Sequence, residues 1–186
     1  MFTYKIDEEL SLKLIESKDA QEIFELTDKN REYLREWLPW VDITNKVEDT
    51  QNFIKMSLNG FVNRKSLDVV ILYKGKAVGI VGYNEINNVN NIAYIGYWIG
   101  SDYQGKGIMT RSTKSIIDYA FNNLGLNRVE IRAAVENTKS RAVPERLGFT
   151  NEGVIRSASF VNDKYYDMVV YGMLADEWNI RETENR

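Results

Sequence analysis

Residues 95–114 read IGYWIGSDYQGKGIMTRSTK: an alternating apolar stretch, a turn with two glycines around Lys106, then residues with helical period. Gly105 and Gly107 let the backbone come close to a ligand. The amides of residues 105–109 fall at a helix N-terminus, where N–H donors are unpaired and the dipole favours an anion. That chemistry suits a pyrophosphate held without metal. A Walker-type loop is a second reading, because Gly100, Gly105 and Lys106 satisfy G-x-x-x-x-G-K. The next residue should then be Ser or Thr to hold magnesium. It is Gly107, and no apolar strand ending in Asp follows. A dinucleotide fingerprint needs a third glycine at position 110, which is Thr110. A plain strand-to-helix turn also uses glycines this way, and these residues alone do not choose.

Two absences narrow the chemistry. The chain has no Cys, hence no thiolate nucleophile, disulfide or zinc–thiolate site. It has no His, hence no imidazole base and no His-based triad. Acid–base work falls to carboxylates, Tyr, Lys, Ser, main chain or water. With 24 Lys+Arg against 27 Asp+Glu, the net charge of −3 argues against a general nucleic-acid binder. The opening MFTYKIDEELSLKL has no apolar signal-peptide core, and no apolar run approaches the ~18 residues of a membrane span. A cytoplasmic protein without metal is expected.

The elements that must position the loop follow from periodicity. Leu10–Ile15 alternates as a first strand, and Asp19 caps a helix over 20–34. REWLPWVD, residues 35–42, is a loop with two Trp around Pro39. Asp49 caps a second helix. Residues 67–73 and 77–86 form a hairpin across Lys74-Gly75-Lys76. Residues 92–99 are the next strand, 107–124 a helix ended by Gly125, 128–135 a strand, and 138–147 a short helix stopped by Gly148. Strands near 150–161 and 164–174 flank the turn Asn162-Asp163. The predicted fold is α/β (α+β in some schemes): a mixed central sheet of about seven strands with helices on both faces. At 186 residues and 44% hydrophobic, the chain fits one domain over 1–186, with its core at about 8–175.

A second motif stands about thirty residues after the loop: NTKSRAVPERLGF, residues 137–149. Together the two segments resemble the GNAT superfamily, the acetyl-CoA-dependent N-acetyltransferases. Gln104-Gly105-Lys106-Gly107-Ile108-Met109 matches its Q/R-x-x-G-x-G/A. Asn137, Ser140 and Glu145-Arg146-Leu147-Gly148-Phe149 match its N-x-x-A/S and E-[RK]-x-G-F. The element order agrees over roughly 8–175. REWLPWVD, ENTKSRAVPERLGF and NEGVIR resemble the RimJ/RimL type, the ribosomal-protein N-terminal acetyltransferases.

The resemblance implies a mostly antiparallel acyl-CoA acyltransferase fold with acetyl-CoA in a V between two splayed strands. Tyr97 and Ile99 would offer main-chain groups to the pantetheine arm. Gly105, Lys106, Gly107, Ile108, Met109 and Thr110 would hold the pyrophosphate, with Gln104 at the motif's first position. Asn137, Lys139 and Ser140 would flank the arm. Residues 104–146 hold eight Lys/Arg against four Asp/Glu, a basic stretch in an acidic chain. Met109 replaces the usual Gly or Ala. The family's usual thiolate-protonating Tyr falls at Pro144, which leaves Ser140 as the donor to the thiolate. Pro144 also cannot donate to the Ser140 carbonyl, and that carbonyl is expected to face the cofactor.

The implied reaction is direct attack of an amine on the thioester, without an acyl-enzyme. An α-amine (pKa about 7.7–8.0) loses its proton more easily than a Lys-type amine (about 10.4), a difference of about 3.4 kcal/mol. Without His, that favours a protein N-terminus, ribosomal by the resemblance, over a polyamine. Glu152 and Glu85 are candidate bases. Trp37 and Trp40, with Tyr94 as a further candidate, are expected at the acceptor. A small-molecule acetyltransferase and a non-catalytic CoA-binding domain stay open. A homodimer or larger homo-oligomer is expected, since the C-terminal strands offer an exposed edge.

Overall fold

The stretch LDVVILY, residues 67–73, is apolar almost throughout, and such a strand is stable only where both faces of its sheet are covered. The computed structural model, which describes residues 3–184, shows that arrangement. In chain order the elements are β1 (Thr3–Lys5), β2 (Leu10–Leu14), α1 (Ala20–Lys29), α2 (Arg31–Leu34), α3 (Val47–Val62), β3 (Leu67–Tyr73), β4 (Lys76–Asn87), β5 (Ile92–Ile99), α4 (Ile108–Asn122), β6 (Arg128–Ala134), α5 (Thr138–Arg146), β7 (Thr150–Val161), β8 (Lys164–Leu174) and α6 (Ala175–Glu184). The strands form a single sheet ordered β1-β2-β3-β4-β5-β6-β8-β7. Every neighbouring pair is antiparallel except β5 with β6.

Alternation splits the core in two. Leu67, Val69 and Ile71 face the cluster built with α4, through Ile108, Ile116, Ile117 and Phe121. Val70 and Leu72 face the other way, onto Ile23 of α1 and Ile54 of α3. The Tyr83 hydroxyl donates to the Ile116 carbonyl and ties α4 to β4 across the first cluster.

Both hairpin turns lie where their residues predict them. Lys74 and Gly75 have φ of 52° and 79°, Asn162 and Asp163 of 50° and 59°. Positive φ at both central residues gives the turn whose twist matches the flanking strands.

The sheet has eight strands rather than about seven. The added β1 pairs with β2 from Thr3↔Lys13 to Lys5↔Ser11, and its three exposed residues carry no period to read. The helix expected over 20–34 breaks at Asn30 (φ −109°, ψ 12°). The Asn30 carboxamide oxygen accepts from the Ser101 amide and hydroxyl, fixing the start of the glycine loop to the end of α1. Asp49 lies inside the first turn of α3, where it accepts from the Asn45 and Lys46 amides, so the helix begins earlier than its cap signal suggests.

The parallel pair matters most. β5 and β6 are in register only from Ile92↔Arg128 to Ile95↔Ile131. β5 runs on to Ile99 and β6 to Ala134 without pairing with each other, so the strands part and expose main-chain groups along a V. Among the described residues no helix is long and apolar enough to cross a membrane.

Candidate functional site

The V opens onto a cavity of about 850 Å³ lined by β5, β6, the glycine loop, the first turn of α4 and the first turns of α5. Gly105 and Gly107 have φ of 72° and 67°, which an L side chain adopts only with strain. Gly107 is the residue before α4, and the Arg111 amide is the first to close onto it, 3.1 Å from the Gly107 carbonyl. The amides of Ile108, Met109 and Thr110 are therefore the donors that α4 leaves without helical partners. Their residues line the cavity together with Gly105 and Gly107. Arg111, Arg132, Lys139 and Arg146 line it too, which gives an acidic protein a basic cleft there.

Gln104 lies between two elements. Its Nε2 donates to the Tyr33 hydroxyl, and its Oε1 accepts from Lys139 Nζ at 2.9 Å. Its side chain thus braces the glycine loop against α2 and α5. Tyr33 is part of this site and carries no sequence signal. Lys106 turns away from the cavity: its ammonium donates to the Asp102 carbonyl at 2.9 Å and lies 5.4 Å above the Tyr103 ring.

Asn137 is the N-cap of α5, its Oδ1 accepting from the Ser140 amide at 3.0 Å. Ser140 itself lines the cavity. Pro144 stands four residues on with no N–H to offer the Ser140 carbonyl. The Tyr97 hydroxyl of β5 supplies the missing donor, 2.8 Å from that carbonyl. The carbonyl expected to face the cofactor is thus occupied by a side chain from the neighbouring strand. Ser140 Oγ lies 3.4 Å from the same hydroxyl. Burial pushes the Tyr97 hydroxyl far above the ordinary tyrosine range, so it stays protonated and keeps donating at any working pH. Only the main chain of Tyr97 was expected to matter, since nothing in the sequence says that its hydroxyl reaches α5.

A second recess of about 450 Å³ lies on the α1–α3 face of the sheet. It shares Leu38, Asn84, Gly96, Tyr97 and Trp98 with the first cavity. Asn84 is the extra residue of a β-bulge in β4, between Tyr83↔Ile95 and Glu85↔Tyr94. Bulges re-aim side chains in this way beside sites. Trp40 lines the recess, its ring centroid 5.8 Å from that of Trp98. Trp37 lines the larger cavity and meets Tyr166 edge-on at 5.6 Å.

Besides Lys106, three predicted site residues stand elsewhere. Tyr94 lies where β5 still pairs with β6, beneath the Arg132 guanidinium at 5.6 Å, and lines neither cavity. Glu85, just past the bulge, is exposed and lines neither cavity. Glu152 is on the outer strand β7, gripped by both terminal nitrogens of Arg128. That guanidinium holds the Glu152 carboxyl below the usual range, the wrong direction for a base near neutral pH. We expect Glu152→Gln to leave the pH–rate profile of any turnover unchanged between pH 6 and 9. A shifted basic or acidic limb would restore it as a candidate.

The basic cleft, the first-turn amides and the parted strands suit an extended, phosphate-bearing ligand. Among the described residues no cluster of His, Cys, Asp or Glu could hold a metal ion.

Comparison with known proteins points the same way. The family model described as the acetyltransferase (GNAT) domain matches residues 9–150. YdaF of Bacillus subtilis (strain 168), whose name proposes a ribosomal N-acetyltransferase, is 38% identical over 179 residues, 96% of this chain and 98% of that one. Among solved structures, the microcin C7 self-immunity acetyltransferase MccE in complex with acetyl-CoA and AMP is 34% identical, with a TM-score of 0.87 over 91% of this chain and 94% of that one. RimL, the ribosomal L7/L12 alpha-N-protein acetyltransferase in complex with coenzyme A, is 26% identical, with a TM-score of 0.90 over 95% of this chain and 99% of that one.

Proposed function

This chain belongs to the GNAT family and is an acetyl-CoA-dependent N-acetyltransferase; from that premise we propose that a single catalytic domain acetylates the N-terminal α-amine of a protein, a ribosomal protein first among candidates. The observation that carries this reading is the meeting of the two cavities at Asn84, Gly96, Tyr97 and Trp98. A thioester along the V and an amine in the recess would meet at those residues. The likeness to RimL and YdaF supports the acceptor class.

Acetyl-CoA brings the acyl group as an activated thioester. The chain's own residues supply the rest. The amides of Ile108, Met109 and Thr110, with Arg111 and Lys139, would take the pyrophosphate charge. The unpaired edge of β5 would align the pantetheine arm by main-chain hydrogen bonds. Ser140 Oγ would donate to the leaving sulfur, with Tyr97 holding the serine's peptide group in place. With no His, proton removal from the acceptor falls to water or a weak base, so an amine of low pKa reacts best.

A second reading is a small-molecule amine acetyltransferase, and the likeness to MccE, solved with AMP beside acetyl-CoA, favours it. Thiol release from acetyl-CoA, followed with a thiol-reactive dye, separates the two, and the Cys-free chain adds no background. We expect turnover with peptides carrying ribosomal-protein N-termini. It should rise with pH and level off above about 8, as the α-amine loses its proton. Turnover of small amines alone would move the acceptor to the second reading. A profile still climbing steeply at pH 10 would point to a Lys-type amine.

A further inference from the structure

Among the described residues two carboxylates are buried, and both have cations; a third is half-buried and has none. Asp19 pairs with Lys13, and Glu130 with Arg128 and Arg132. The third is Asp68, second residue of β3, and among the described residues no Lys or Arg pairs with it. It points to the α1–α3 face, the face on which Val70 and Leu72 enter the apolar cluster, so packing alone would favour an apolar residue there. The Ser57 hydroxyl stands near its carboxyl. That hydroxyl has no well-formed hydrogen bond, yet lies close enough to offset part of the rise that burial imposes on the Asp68 carboxyl. A partly buried carboxylate without a counter-ion costs stability, and such local conflicts gather where a ligand completes the set.

Asp68 lines the smaller recess. The walls around it include Phe53, Trp40 and Trp98, with Asn84 toward the larger cavity. A carboxylate set among aromatic faces is the surrounding that a desolvated cation prefers: a counter-ion on one side, negative ring faces on the others. Among the described residues no Lys or Arg lines the recess.

We propose that this recess is a cation subsite of the acceptor, in which Asp68 is the counter-ion for a second positive group of the substrate besides the amine that is acetylated. The inference rests on the acceptor reading above and sharpens it: a preferred peptide carries Lys or Arg just after its N-terminal residue. The same chemistry is offered by a free polyamine, so both sources enter the test.

The experiment compares two peptides of identical sequence except for Lys or norleucine at the second residue, with spermidine as a third acceptor. The variant is Asp68→Asn, which keeps shape and removes charge. Wild type should favour the Lys peptide by about tenfold in kcat/KM, and Asp68→Asn should abolish that preference while leaving the norleucine peptide within about twofold. The variant's melting temperature should hold or rise, because a desolvated charge is gone. Turnover of spermidine with the same sensitivity to Asp68→Asn, and none of either peptide, would keep the subsite and assign its ligand to a polyamine. Equal rates on both peptides in wild type, or an equal loss on both in the variant, would overturn the subsite while leaving the acetyltransferase reading intact. If no acceptor turns over, the protein's tryptophan emission is titrated with α-N-acetyl-lysine amide. Quenching lost in Asp68→Asn supports the subsite, and no quenching overturns it.

Discussion

Gly107→Val should raise the Kd for acetyl-CoA about 100-fold, whereas Gly125→Val should leave it unchanged. Both glycines are left-handed, with φ of 67° and 65°, and a Cβ on either meets no atom within 4 Å. The protein therefore imposes the same kind of backbone penalty at both, about 1–2 kcal/mol for an L-residue and more for a β-branched one. For a chain of this size each variant should lose a few degrees of melting temperature. Only position 107 holds the turn that aims the amides of Ile108, Met109 and Thr110 into the cavity. Gly125 follows α4 at its far end and lines neither cavity. If the loop gives way at 107, about 2.7 kcal/mol of anion binding goes with it. Titration calorimetry with acetyl-CoA decides. Equal affinities in the two variants would mean that the loop amides do not carry the pyrophosphate.

The second large effect concerns Ser140 and Tyr97. Ser140→Ala should lower kcat about 100-fold, the lower end of what a positioned proton donor contributes. Tyr97→Phe should lower it about tenfold, with KM for acetyl-CoA within about twofold. In the Ser140→Ala background, Tyr97→Phe should cost almost nothing further. The asymmetry follows from geometry: the Tyr97 hydroxyl is occupied by the Ser140 carbonyl that Pro144 cannot serve, so the tyrosine acts by holding the serine. Groups that work through one another are non-additive in this way. Removing the hydroxyl also leaves a half-buried carbonyl without its donor, worth about 1 kcal/mol of stability or a few degrees. Equal losses from Tyr97→Phe in both backgrounds would mean that Tyr97 acts on its own account. A silent Ser140→Ala would move the donor's role to another group.

Much of this was open to reading along the chain because local signals carry it. A strand, a glycine pair and a periodic helix placed the turn at 104–110, and the motif at 137–149 was needed before it could be read as an anion loop. Lys74-Gly75 and Asn162-Asp163 marked their hairpins through backbone conformations that few residues adopt. The N-x-x-S spacing put Asn137 and Ser140 one turn apart. The absence of Cys and His set bounds on the chemistry that no fold could alter.

Other features lay beyond any local signal because they are made by distant residues. Tyr97 and Ser140 are 43 positions apart, and only the splay of β5 from β6 lets the hydroxyl cross to α5. The same splay left Tyr94 in the closed part of the sheet, three residues before Tyr97. Glu152 and Arg128, 24 positions apart, meet because β7 and β6 flank β8, and that encounter sets the carboxylate's proton affinity. Asp68 sits in a strand whose composition speaks only of burial, and its lack of a cation emerges once every neighbour is in place. The sequence by itself determined most of the elements, the glycine turn and the limits of the chemistry, since these depend on backbone freedom and residue type within a turn or two. Tertiary structure alone decided which side chains share a cavity and which charges are paired, since both depend on groups that become neighbours only when the sheet forms.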